Sequence, residues 1–141
     1  MTINGQPVEA FLATYIDAFN RGDYAVLTDF YDDDVELVIG NGTVMRGKQA
    51  IVDFYSVVKS QTVRTIKILH CMAVNDIIAA EFESEFLALE DAPDFTSGPL
   101  AKGDRLYINS FAFYELSGGK FVRIRAAVFK RVWKRVGEGA A

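Results

Sequence analysis

The hydrophobic pattern of this chain turns lastingly from helical to strand spacing between Ser60 and Val63, and that change limits what it can fold into. Before it, apart from one short hairpin, apolar side chains recur every three to four residues, as on one face of a helix; after it, they alternate, as on one face of a strand. Helices first and a long antiparallel sheet second is the α+β arrangement, in which the helices pack on one face of the sheet.

From Pro7 to Asn20 the residues Val8, Phe11, Leu12, Tyr15, Ile16 and Phe19 form a helical stripe, while Glu9 and Asp17 fall mainly on the opposite face. Pro7 suits the first turn, where a missing N–H costs nothing. Gly22 supplies a stop, and Asp23 an N-cap for a short second helix running through Tyr31. Val35 to Ile39 reads as a strand, Gly40-Asn41-Gly42 as a turn and Thr43 to Arg46 as the returning strand. Ile51, Phe54, Tyr55 and Val58 then restore helical spacing from Lys48 to Ser60.

The rest alternates. Between Val63 and Val74, Ile66, Ile68, His70, Met72 and Val74 share one face; between Ile77 and Leu89, Phe82, Ser84, Phe86 and Ala88 oppose Glu81, Glu83 and Glu85. Arg105 to Leu116, a Ser117-Gly118-Gly119 turn and Lys120 to Trp133 form a long hairpin. If Ser110 faces inward, Ile124, Ala126 and Val128 do too, while Arg123 and Arg125 point out. Tyr107, Asn109, Phe111 and Phe113 then make an aromatic strip on the outer face, too apolar to leave in water without a reason. Glu90 to Asp104, with Pro93, Gly98, Pro99 and Gly103, breaks the pattern; a loop of that length is often a lid or a partner-binding element. Its acids Glu90, Asp91 and Asp94 can reach over a pocket mouth, and Phe95 is a candidate plug.

At 141 residues the chain has the length of one domain, 1–141. A net charge of −4 disfavours non-specific nucleic-acid binding. The cluster Arg123, Arg125, Lys130, Arg131, Lys134 and Arg135 is read first as a solvated strand face, and second as a phosphate-binding edge. One cysteine, Cys71, and no secretory leader point to an intracellular, cytoplasmic protein. No apolar run has the roughly 20 residues that span a bilayer.

Several chemistries lack their motifs. There is no Gly-rich phosphate loop, no nucleophile elbow, and no paired His or Cys at metal-ligand spacing. No cofactor and no metal are expected. The Glu81, Glu83, Glu85 stripe reads as an exposed or subunit-facing surface, and Asp32-Asp33-Asp34 as a turn and cap. His70 alone has an unperturbed pKa near neutrality. On a face shared with Ile66, Ile68 and Met72 it is either a hydrogen-bonded core residue or the candidate for proton transfer.

The order of these signals carries a resemblance. Tyr15 on the first helix, Asn20-Arg21-Gly22-Asp23-Tyr24, Phe30-Tyr31-Asp32-Asp33-Asp34-Val35, Arg46-Gly47-Lys48-Gln49-Ala50-Ile51 and Phe54-Tyr55 together resemble the nuclear transport factor 2-like superfamily, which includes ketosteroid isomerases and SnoaL-like polyketide cyclases. The resemblance implies a cystatin-like cone: a strongly curved, mainly antiparallel sheet with three N-terminal helices on its concave face, enclosing a pocket. It also implies a homodimer through the outer sheet face. Aligned with the isomerases, Tyr15 takes the place of an oxyanion-binding phenol, and Tyr31 and Tyr55 take the places of pocket tyrosines. The base position of that family falls at Val38 or Ile39 and its second acid at Ser110 or Asn109, none of them a carboxylate. SnoaL-like cyclases draw their acid/base group from late strands, and here Val122 to Phe129 offers only Arg123 and Arg125.

The leading expectation is therefore a pocket for a small hydrophobic molecule with a carbonyl or hydroxyl end. Tyr15, Tyr31, Tyr55, Phe82, Phe86, Ser110 and Val128 would contact it, and Tyr15 as electrophile with His70 as base would serve any isomerase, cyclase or dehydratase chemistry. The cavity should measure on the order of several hundred Å³. The alternative is a non-catalytic dimeric binding or interaction module with that space filled by Phe82, Phe86 and their neighbours.

Overall fold

The computed structural model describes residues 2–137, so position 1 and positions 138–141 of the expected domain lie outside the described residues. The chain opens with two short paired strands, β1 (Thr2–Ile3) and β2 (Gln6–Pro7), and continues through helices α1 (Val8–Arg21) and α2 (Tyr24–Thr28). Strands β3 (Tyr31–Val38) and β4 (Val44–Arg46) lead to helix α3 (Lys48–Gln61). Four long strands follow: β5 (Thr62–Val74), β6 (Ile77–Ala88), β7 (Arg105–Ser117) and β8 (Lys120–Lys134). The six strands β3–β8 form one sheet in the order β4-β3-β8-β7-β6-β5, antiparallel throughout except where β3 runs parallel to β8. It is the α+β arrangement that the change of period implies and the cone that the resemblance implies, with the helices on one side of a curved sheet.

Helix α1 buries Val8, Phe11, Leu12, Tyr15, Ile16 and Ala18 against the sheet. Pro7 caps it from outside in an extended conformation, and Gly22 closes it at φ +66°, donating its N–H to the carbonyls of Ala18 and Phe19. That left-handed geometry is one a side chain would resist. Just before this stop, Asn20 turns its amide onto the edge strand β5: Nδ2 donates to the Ile66 carbonyl at 3.1 Å, and Oδ1 accepts from the Ile66 N–H at 2.9 Å. The amide thus pairs with a strand edge as another strand would, which fixes the helix over the sheet and satisfies backbone groups that an edge leaves open.

The second helix is shorter than expected. Asp23 caps it by accepting from Val26 N–H, but it ends at Thr28, and Tyr31 already belongs to a strand. The reason lies in β8: the Phe121 N–H donates to the Phe30 carbonyl at 2.7 Å, and Tyr31 pairs with Phe121. Pairing lapses between Tyr31 and Glu36, where Asp32, Asp33 and Asp34 bulge toward solvent.

Beneath α1 an aromatic cluster fills the narrow end of the cone. The Tyr15 ring meets Phe30, Tyr31, Tyr114 and Phe121 at centroid distances of 5.0 to 5.9 Å, all near-perpendicular. Edge-to-face packing of this kind adds about 0.5–1.5 kcal/mol per pair beyond burial. The segment between β6 and β7 is not an open lid. Ala92 and Leu100 bridge, Phe95 is buried against Phe86 at 5.3 Å, and both segments join a second core cluster with Val58, Leu106 and Ile108. Asp104 locks its exit, accepting from Ala101 N–H, Val136 N–H and Arg135, which together hold its carboxyl below the usual carboxylate range. No helix among the described residues is long and apolar enough to cross a membrane.

Candidate functional site

Between α1, α3 and the concave face of the sheet the packing opens. One hollow of about 70 Å³ is walled by Tyr15, Ile39, Phe82, Ser110, Tyr114 and Ile124 among others. A second, of about 100 Å³, lies toward the loop and the β3–β4 turn, against Phe54, Phe86, Ser110, Thr96, Val128 and Arg131. A third and smaller one separates α1, α2 and α3. Tyr55 and Arg64 border all three. The space is smaller than the several hundred Å³ expected, because the aromatic cluster and Phe95 occupy both ends of the cone. It matches the scale of a cavity of about 150 Å³ that accepts one benzene ring.

The sequence places seven residues at a ligand, and the structure brings six of them to these walls. Tyr15, Tyr55, Phe82, Phe86, Ser110 and Val128 all line the hollows. Tyr31 does not. It sits behind Tyr15, 1% exposed, and the two hydroxyls share a hydrogen bond of 2.7 Å. Tyr31 therefore starts β3 as a buried support for Tyr15, and the expected contact with ligand is corrected.

The larger correction concerns His70. Strict alternation puts it inside with Ile66, but β5 carries a bulge between Ile68 and His70 where Leu69 has no partner in β6. One extra residue reverses the alternation. Beyond the bulge Cys71 and Ala73 pack on the core, while His70 faces out, its side chain 75% exposed, with Nδ1 3.2 Å from Glu81. It cannot reach the cavity as a base.

A second bulge, between β7 and β8, does the reverse. Asn109 pairs with Lys130 and Ser110 with Val128, leaving Phe129 between them. Val128 still faces inward, but Arg131, paired with the inward Ile108, now turns to the cavity mouth. Strict alternation would have put Lys130 and Lys134 inside and Trp133 outside, and that implausible outcome was the available signal of the flip.

Arg64 is the residue that the sequence reading passed over. It shares the inner face of β5 with Ile66 and pairs with Phe86. Its guanidinium carbon lies 4.8 Å from the Phe86 ring, 5.1 Å from Phe19 and 5.7 Å from Tyr55, a cation held by three aromatic faces. Its Nε is buried without a hydrogen-bond partner, and no carboxylate among the described residues forms an ion pair with it. A charged residue at the first turn of a strand reads as surface, and only the parity it shares with Ile66 marks it as inward.

Burial sets the state of the phenols. It pushes Tyr15 and Tyr114 well above the ordinary tyrosine value, their neighbouring phenols adding to the rise for both and Arg64 opposing it. Burial raises Tyr31 as well, against the hydrogen bond that it shares with Tyr15. Tyr55 is also raised by burial, against the pull of Arg64. All four are neutral hydrogen-bond donors at physiological pH. Among the described residues no Asp, Glu or His lines any of the three hollows: Ile39 occupies the inward position just past the end of β3, and Ser110 that on β7. Asp91 is engaged elsewhere, accepting from Lys102 N–H, and Glu90 and Asp94 are exposed off the walls. Among the described residues no three His, Cys, Asp or Glu gather around one metal position.

The loop roofs the second hollow without any acid. Thr96 and Ser97 face it, and Asn41 in the β3–β4 turn donates from Nδ2 to Thr96 Oγ1 at 2.8 Å, tying turn and loop together over the mouth. Gly40 permits this turn to lie close to β8: a Cβ there would meet Val128 Cγ2 at 2.4 Å.

A family model described as a SnoaL-like domain matches residues 12–124. Solved structures share the fold. A proposed SnoaL-like polyketide cyclase from Shewanella denitrificans OS-217 superposes with a TM-score of 0.74 at 16% identity, covering 88% of this chain and 92% of the other. A proposed polyketide cyclase from Xanthomonas campestris pv. campestris gives 0.69 at 20% identity over 84% and 87%. An LEH-like epoxide hydrolase from M. tuberculosis gives 0.67 at 12% identity over 84% and 79%. No curated protein matches the chain in sequence.

Proposed function

The chain belongs to the SnoaL-like domain family, and from that premise we propose that it binds a small, mostly apolar molecule carrying a carbonyl or hydroxyl group in the space between the helices and the sheet. The observation that carries this reading is the convergence of neutral phenols and Ser110 on hollows whose remaining walls are aliphatic and aromatic. Tyr15 is the donor for the ligand oxygen. Its hydroxyl is backed by Tyr31, and a donor fixed before the ligand arrives does not have to be reorganised on binding.

Isomerase, cyclase or dehydratase chemistry needs a proton acceptor within reach of the substrate. The walls supply electrophiles and no carboxylate or imidazole, and that observation favours binding without turnover. In this second reading the outer sheet face mates with another copy of the chain. Phe111 and Phe129 stack there at 4.6 Å and, like Phe113, remain about half exposed.

A thermal-shift titration with acetophenone and benzyl alcohol, on the natural protein and on Tyr15→Phe, tests the pocket. Both compounds should raise the melting temperature of the natural protein, and Tyr15→Phe should weaken the response to acetophenone most. No shift with either compound overturns the reading. Turnover is tested separately by incubating acetophenone with the protein in D₂O. Deuterium appearing in its methyl group by NMR would refute binding without proton abstraction.

A further inference from the structure

We propose that the ligand of this cavity is an anion, a small organic carboxylate whose charged end meets Arg64. The inference rests on the cavity being a ligand site and adds the charge of what enters it. Arg64 stands where all three hollows meet, so whatever occupies them lies beside it. The guanidinium carbon lies over the ring faces of Phe19, Tyr55 and Phe86, and the Tyr55 hydroxyl interacts with the guanidinium as well. A ring face offers no lone pair, so of the five N–H donors of a guanidinium these ring contacts satisfy none as a lone-pair acceptor would. Nε is among those left over: out of solvent and unpaired. Leaving a buried donor unmatched is costly, and a charged one more so, which makes this edge a place where an acceptor gains.

The surroundings select the sign of that acceptor. Every polar side chain on the walls can donate a hydrogen bond: Ser84, Ser110, Tyr15, Tyr55 and Tyr114 around the inner hollow, and Asn41, Thr96, Ser97 and Arg131 around the outer one. Among the described residues none bears negative charge. Arg131 at the mouth adds a second positive group on the path inward, which favours entry of anions. Chemically, a planar carboxylate suits the guanidinium edge, since the two match in a parallel pair of charge-assisted bonds. The aliphatic and aromatic walls then suit a single ring or short hydrocarbon body behind it, within the size the hollows allow.

The experiment pairs acids with their primary amides, which keep the shape and lose the charge. Benzoate, phenylacetate and 3-phenylpropanoate are titrated by calorimetry against benzamide, phenylacetamide and 3-phenylpropanamide, on the natural protein, Arg64→Gln and Arg64→Lys. Circular dichroism checks that both variants fold, and Arg64→Lys keeps a charge should Arg64→Gln be unfolded. The expected result is at least one acid binding tenfold or more tightly than its amide. That preference should vanish in Arg64→Gln while the amide still binds, and it should survive in part in Arg64→Lys. Equal binding of acid and amide to the natural protein, or a preference unchanged in both variants, overturns the carboxylate and leaves the pocket standing. Failure of all six compounds to bind overturns the pocket reading and this inference together.

Discussion

Exchanging the hydroxyls of Tyr15 and Tyr31 for hydrogen gives an unequal pair of costs that the geometry fixes in advance. The two oxygens lie 2.7 Å apart, and among the described residues the Tyr31 hydroxyl has no other hydrogen-bond partner. In Tyr15→Phe the Tyr31 hydroxyl is left 1% exposed with nothing to bond, and a buried orphan of that kind costs about 1–3 kcal/mol. In Tyr31→Phe the surviving Tyr15 hydroxyl still borders the 70 Å³ hollow, where a water has room and can replace the lost partner, so the cost falls to about 0.5–1.5 kcal/mol. Removing both hydroxyls leaves no orphan and should cost less than the sum, with a coupling of about 1 kcal/mol. Urea denaturation of the four proteins, followed by tryptophan fluorescence, measures the cycle. Additive costs to within about 0.3 kcal/mol, or Tyr31→Phe being the more damaging substitution, would refute this account of the hydroxyl pair and of the hollow beside it.

Alkaline titration tests the same burial from another side. Tyr15, Tyr31 and Tyr114 keep their protons in the folded chain above pH 10, where an unfolded tyrosine loses its own. Stability from these groups is complete below pH 10 and is lost as pH rises toward their folded values, by about 1.4 kcal/mol per pH unit for each. The share of the tyrosinate absorbance that comes from these three of the six tyrosines should therefore rise together with the loss of circular dichroism, and its appearance while the protein is still folded would contradict the reasoning. Gly40→Ala forces Val128 out of its place and should cost about 1–3 kcal/mol while shrinking the outer hollow; an unchanged urea midpoint would show that the turn yields freely. If the outer sheet face mates with a second copy as proposed, light scattering should give the mass of a dimer for the natural protein and of a monomer for Phe111→Lys and Phe129→Lys, and an equal mass for all three would refute that interface.

Most of the fold was legible because the period of the apolar residues is a direct consequence of backbone geometry. The stripe from Val8 to Phe19 and the alternation from Ile77 to Ala88 can each bury one face in only one way. Misreadings came where one residue breaks the rhythm. Leu69 and Phe129 are ordinary apolar residues, and nothing about them announces a bulge. Whether a strand accommodates an extra residue depends on the curvature of the whole sheet, which no local window contains. The result was His70 on the wrong face, and Arg131 read as part of a basic outer cluster when it borders the outer hollow. Tyr31 failed differently: it was expected at the ligand, but which of two neighbouring phenols borders empty space depends on how Phe121 and Tyr114 pack around them. Arg64 was within reach of the parity argument, since it lies two residues before the inward Ile66.

The parallel pairing of β3 with β8 has an outcome for how the chain is made. The last described strand is not at the rim of the sheet but inside it, Leu37 on one side of Ile124 and Tyr114 on the other. During synthesis β5, β6 and β7 can zip together as neighbours, while β3 and β4 wait with the helices on an unfinished half. Only when β8 arrives does Phe121 reach Tyr15 and join the two halves. A ribosome pausing before residue 120 would therefore expose two raw sheet edges at once, and nascent copies of this protein should depend on chaperones until the centre strand is delivered.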